Sequence, residues 1–239
     1  MNWSKKISNF IEIIKSPDNL ILMAQGLGNT VKVATIGLLL GILIGTFIGV
    51  VKVAPKYKVI MRILDKICSF YVMIFRGTPM VVQLLIAYFV ILPLCGVKGV
   101  SALKVGMVVF GMNSGAYQSE IMRSGLNSVD RGQLEAGRAL GLGYGIAMLK
   151  IVVPQAFKNI LPTIGNEFIS LIKETSVLSF ITIYDLYTVF HTMASSDYEY
   201  MVPYIVMAII YIILVIIISI IIKLIEKVFA RSDREAAKK

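Results

Sequence analysis

Charge is what this sequence has least of. Only 16% of its 239 residues are charged while 57% are hydrophobic, and its mean hydropathy is +0.80. Those values exclude an ordinary water-soluble domain as the starting point. Histidine occurs once, at His191, so no site built on two imidazoles is available. Cysteine occurs twice, at Cys68 and Cys95, without CxxC spacing, which excludes a zinc ribbon and a disulfide framework. Also missing are GxxxxGK followed by Ser or Thr, GxSxG, HExxH and the glycine-rich dinucleotide fingerprint. An enzyme reading has no motif to stand on, no cofactor is expected, and the chain cannot cradle ATP itself. Acidic residues number 14 against 24 basic ones, a net charge of +10. In a membrane chain such an excess marks the loops that stay in the cytoplasm, so nucleic acid is not the expected partner.

What is present is a series of apolar segments. Met201 to Ile222 holds 22 residues without a charge, which as a helix rises about 33 Å and spans a bilayer. Val33 to Val51 carries Gly37, Gly41, Gly45 and Gly49 on one face, the spacing that lets a second helix backbone approach closely. Further spans are expected from Gly77 to Leu94 and from about Val105 to Arg123. A fifth, Phe157 to Tyr187, is interrupted by Pro162, Gly165, Glu167, Lys173, Glu174 and Asp185, so it should line a protein interior. Ahead of them, Trp3, Ile7, Phe10, Ile11 and Ile14 alternate at helical spacing with Lys5, Lys6, Glu12 and Lys15, an amphipathic helix at the interface. The expected fold is an all-α integral membrane protein. Residues 1–19 form the amphipathic segment, 20–228 a five-transmembrane-helix core, and 229–239 a basic cytoplasmic tail.

Lysine and arginine set the orientation. Residues 52–66 hold five, 123–158 five and 223–239 six, whereas the alternate regions hold three, two and none. The richer regions should face the cytoplasm, with the N-terminus outside and the C-terminus inside.

The loop at about 124–156 is not polar filler. Asp130 can cap a helix, Gln133 sits three residues on in capping-box position, and Gly141 and Gly143 can stop it. The result is a cytoplasmic helix from Arg131 to Leu140 whose apolar side needs something to dock against, either the underside of the bundle or a partner. Within it, Glu135-Ala136-Gly137, three residues, Gly141, nine residues and Ile151-Val152-Val153-Pro154 resemble the EAA loop of ABC importer permeases. Gly137 replaces the second alanine and Val153 the leucine of that pattern. Phe75-Arg76-Gly77-Thr78-Pro79-Met80, Ala116 to Arg123, and Gly165 to Ser176 look like the polar amino acid uptake branch of those permeases. The resemblance covers roughly Gly26 to Lys227.

The resemblance implies a permease subunit of an amino acid importer in a bacterial cytoplasmic membrane. Its partners would be cytoplasmic ATP-binding subunits, a second permease copy or paralogue, an extracellular or periplasmic amino-acid-binding protein, the amino acid and membrane lipid. The loop helix then becomes the coupling helix, with Leu134, Glu135, Ala136, Arg138 and Gly141 serving ATPase coupling and Leu134 filling the ATPase groove.

For the substrate path, Asn113, Tyr117 and Glu120 share one helical face, and Glu167, Ser170 and Glu174 another, with Asn166 and Lys173 beside the second. Their carboxylates could hold an ammonium group, and a helix broken near Pro162 and Gly165 could offer amides to a carboxylate. Glu120 with Arg123, and Lys173 with Glu174, read equally as structural ion pairs. An ion-coupled secondary transporter or channel is the alternative, supported by the intramembrane carboxylates alone and lacking the internal repeats such proteins commonly show.

Overall fold

The computed structural model describes the backbone of residues 3–236 and side chains as far as Phe229. Every described element is helical: α1 Trp3–Lys15, α2 Pro17–Val53, α3 Val59–Gly77, α4 Met80–Leu94, α5 Ala102–Ser128, α6 Arg131–Ala139, α7 Tyr144–Ile181, α8 Leu186–Ser196 and α9 Met201–Ala236. On their own, α2 and α9 are long and apolar enough to cross a membrane. The number rises to four if α3 with α4, and α7 with α8, each count as one interrupted span. α5 has 27 residues but is too polar by the same measure. Because α9 runs on to Ala236, the tail expected from 229 starts inside a helix; its last residues, 237–239, lie outside those described.

The expected span from Gly77 to Leu94 is corrected. A 19-residue helix, α3, already occupies Val59–Gly77, and the chain is interrupted at Thr78 before resuming at Met80. Pro79 has no amide to donate and forces its predecessor out of helical conformation; Thr78 is extended, at φ −124° and ψ 145°. Proline acts differently at two other places. Pro93 and Pro154 each follow a π turn, Ala87–Ile91 and Met148–Val152. There the widened turn hands its bond to the residue five back, Leu92 N–H to Ala87 and Val153 N–H to Met148.

The chain forms two compact units. The first comprises residues 1–37, 80–110 and 169–218. In it the amphipathic α1 buries Phe10 against Phe190 of α8, ring centroids 6.4 Å apart, within an apolar cluster that includes Val189, Met193 and Val202. Lys6 of α1 is ion-paired with Glu199, and that bond holds the Glu199 carboxyl below the usual carboxylate range. Asp185 caps α8 by accepting from Tyr187 N–H at 3.2 Å and Thr188 N–H at 2.9 Å.

The second unit comprises residues 38–79, 111–168 and 219–239. Its centre is a seam between α2 and α5. Gly41, Gly45 and Gly49 lie directly against Ser114, Gln118 and Met122, while Gly111 and Gly115 of α5 receive Leu40 and Ile44 of α2. Gly125 receives Ile160 of α7, and Gly165 of α7 receives Ile222 of α9. The four-residue glycine spacing thus sets a close backbone approach, as expected, and Gly37, one turn earlier on α2, is buried too.

Candidate functional site

The loop helix α6 starts and stops where the sequence indicates and is fixed at both ends. At its start, the Asp130 carboxylate accepts from Gly132 N–H at 2.6 Å. At its end, Gly141 N–H donates to Arg138 and Leu142 N–H to Gly137, at 3.0 and 3.2 Å. That paired pattern requires a left-handed residue, and Gly141 supplies it at φ +84°. Gln133 does not complete the capping box; its side-chain carbonyl oxygen instead accepts from Gln155 of α7 at 3.3 Å and so ties helix to span.

α6 packs on its own chain through one side. Gly137 is buried, and a Cβ there would stand 2.7 Å from Ile151. Leu134 is half-buried against the cluster of Met122, Leu126, Met148 and Val152. It serves the internal contact, whereas Glu135, Ala136, Arg138 and Leu140 point outward, Leu140 at 83% exposure. The sequence expectation counts Leu134 and Leu140 together on the apolar face and gives groove filling to Leu134; periodicity alone cannot tell which leucine faces the bundle. Beside the helix lies a cleft of about 500 Å³ lined by Val53, Leu126, Glu135, Tyr144 and Met148. Asn159 of α7 donates to Ser128 Oγ at 3.0 Å, so the loop is bounded by a second polar tie.

The first set of path candidates is largely spoken for. Asn113 is buried and donates to the Phe75 carbonyl at 3.3 Å. Tyr117 stays exposed on one side, with the Arg76 guanidinium 5.4 Å from its ring centroid. Glu120 is bonded to Arg123 at 2.7 Å, the structural ion pair anticipated as an alternative. The second set lies along α7, with Asn166 and Glu174 exposed and Glu167 and Ser170 half-buried.

The expected break near Pro162 and Gly165 is absent. α7 is regular from Val153 to Glu174 with Pro162 inside it, so no helix terminus offers amides there. One missing amide does not break a helix whose other backbone groups find no water to replace their partners. The helix changes character later, tightening into a 3₁₀ turn at Thr175–Ile181 and ending at Thr182, φ +60°.

Comparison with known proteins agrees with this architecture. Residues 25–231 match the family model described as binding-protein-dependent transport system inner membrane component. An arginine transport system permease protein of Bacillus subtilis is 37% identical over 182 residues, covering 76% of this chain and 80% of the relative. A Rickettsia bellii chain assigned to glutamine transport as a permease is 39% identical over 197 residues, covering 82% and 88%. The crystal structure of an amino acid ABC transporter with histidines superposes with a TM-score of 0.76 at 36% identity, over 91% of this chain and 97% of that one. The inward-facing MetNI methionine transporter, at 19% identity and a TM-score of 0.70, shares the fold. With its all-helical membrane architecture and its capped loop helix, the chain belongs to the family of binding-protein-dependent transport system inner membrane components, whose ATPase is a separate subunit.

Proposed function

We propose that this chain is the membrane-spanning permease of an ATP-driven importer for a polar or cationic amino acid, coupled to its ATPase through α6. The observation that carries the reading is the loop helix itself. It is capped by Asp130, clipped by Gly141, anchored inward by Leu134 and Gly137, and left with Glu135, Ala136, Arg138 and Leu140 outward. Such a helix moves as a rigid body when a partner grips it, and its motion reaches α7 through the Gln133–Gln155 contact and the π turn before Pro154. Of the path candidates, Asn166 and Glu174 on α7, both exposed, support a substrate role, with Glu167 and Ser170 on the same helix, whereas Asn113 is buried and Glu120 is paired with Arg123. The named relatives, for arginine and glutamine transport, support an amino acid with a polar or charged side chain.

The test is uptake into vesicles holding the permease, its ATPase and its extracellular binding protein. Arginine or glutamine should accumulate only with ATP inside. Uptake by the permease alone would favour the secondary-transporter reading instead.

The proposed topology has five spans, with the α3–α4 pair as the second, the N-terminus outside and the C-terminus inside. The wild-type protein carries its own reporter, because Cys95 is exposed and Cys68 buried. A membrane-impermeant thiol reagent should label Cys95 from outside. In a Cys95→Ser background, Gly132→Cys should react only after permeabilisation. The opposite pattern would invert the topology.

A further inference from the structure

We infer that the first three turns of α3 form a binding surface for an anionic phospholipid at the cytoplasmic edge of the membrane, an inference that rests on the topology proposed above. α3 divides its circumference into distinct faces. Leu64, Cys68 and Val72, spaced by four, face the core with Ile48, Val51 and Ala116. Val59, Ile63 and Ile67, also spaced by four, are all exposed, at 63%, 48% and 59%. Arg62 and Lys66 form a third stripe, exposed and one residue behind the second, hence about 100° around the axis from it, and exposed Lys58 is the extended residue that leads into the helix.

The basic stripe is not neutralised from within. Between residues 52 and 66 the sequence has five cationic side chains and one carboxylate, Asp65. Asp65 is taken by Lys56 at 2.6 Å and Lys52 at 3.8 Å. Among the described residues, Lys58, Arg62 and Lys66 take part in no ion pair. Meanwhile the exposed apolar stripe continues past Ile67 through Phe70 and Ile74, along the length of the helix. A surface that is apolar along its length and carries three unpaired cations beside its first turns matches one partner: a lipid whose chains lie along the stripe and whose phosphate meets the cations. A zwitterionic lipid offers the chains and a phosphate whose charge its own cation cancels; an anionic lipid alone brings net negative charge to the three cations.

The experiment uses the full chain in vesicles, with Trp3, its single tryptophan, changed to Phe and a reporter introduced as Ile63→Trp. Quenching by brominated phosphatidylglycerol is compared with quenching by brominated phosphatidylcholine, each lipid present in both leaflets. The anionic lipid should be preferred by about fivefold or more, the factor expected when one basic side chain meets an anionic headgroup. Lys58→Gln/Arg62→Gln/Lys66→Gln should bring the preference near one, and Lys58→Arg/Lys66→Arg should keep it. The proposal is overturned if the triple variant keeps the full preference, or if neither lipid quenches, which would mean that protein covers the stripe. It is also overturned if the triple variant loses ATPase attachment with lipid preference unchanged, which would assign the cations to the ATPase. Because the measurement needs no ATP, binding protein or amino acid, it can succeed even where the import reading fails, and the converse holds.

Discussion

Replacing Gly45 with valine should lower the stability of the permease by about 3 kcal/mol, the largest effect expected of a single substitution in this chain. A Cβ at Gly45 would stand 2.4 Å from Gln118 Cβ and 2.7 Å from the Gln118 carbonyl carbon, distances at which something has to move. The obstacle includes backbone, so the shift has to be made by a whole helix rather than by a rotamer. Gln118 cannot yield cheaply either, since it is 2% exposed. Overpacking costs about 1 to 3 kcal/mol even where neighbours can adjust, against a total stability of roughly 5 to 15 kcal/mol. In a bilayer, where close packing largely replaces the hydrophobic effect between helices, the loss should be near the top of that range. Gly28 is the control: no atom lies within 4 Å of its Cβ position, so Gly28→Ala should be neutral or slightly stabilising. Size-exclusion profiles and thermal stability in detergent separate the two. A Gly45→Val protein as monodisperse and stable as wild type would remove the seam from the account of the fold.

The second large effect should come from Gly141→Val, by a different cause. Here a Cβ would meet nothing within 4 Å, so the penalty is conformational: the residue sits at φ +84°, where a β-branched side chain is strained. Leaving that conformation breaks the bonds from Gly141 and Leu142 that close the end of α6. A penalty of about 1 to 2 kcal/mol at one left-handed residue translates into roughly a five- to thirtyfold loss of the coupled state. Uptake should fall by that factor while the permease stays inserted and folded. Gly141→Asn should recover much of it, because asparagine tolerates the left-handed region. If valine transports as wild type does, or if asparagine is no better than valine, the closed end of α6 is not what couples ATP to transport.

Much of this was legible in the sequence wherever a local rule was decisive. The amphipathic spacing of Trp3 to Lys15, the glycines of α2, and the Asp130 and Gly141 boundaries of α6 each come from short-range geometry, and the structure has them all. Prolines were harder, because the same residue does three things here. Pro79 interrupts the chain, Pro93 and Pro154 follow π turns, and Pro162 sits inside a regular helix. Which of these happens depends on whether the carbonyls left without a donor find another partner, and that is decided in three dimensions. The polar residues of α5, Asn113 and Glu120, show how far helical spacing carries. The pairing of Glu120 with Arg123 three residues on could be read from that spacing, whereas the bond from Asn113 to the Phe75 carbonyl of another helix could not.

The π turn in α4 bears on which changes of length this chain can accept. An ordinary membrane helix punishes the deletion of one residue, since everything beyond the cut is turned by about 100° and presents the wrong side to its neighbours. A π turn contains one residue more than the α-helical turn it replaces. Removing a residue from Ala87–Ile91 would therefore take away the surplus and leave Met80–Ile86 in phase with Leu92–Leu94 on the far side of the turn. At that point α4, like α7 at Met148–Val152, can accept a change in length where a regular helix accepts only a change in composition.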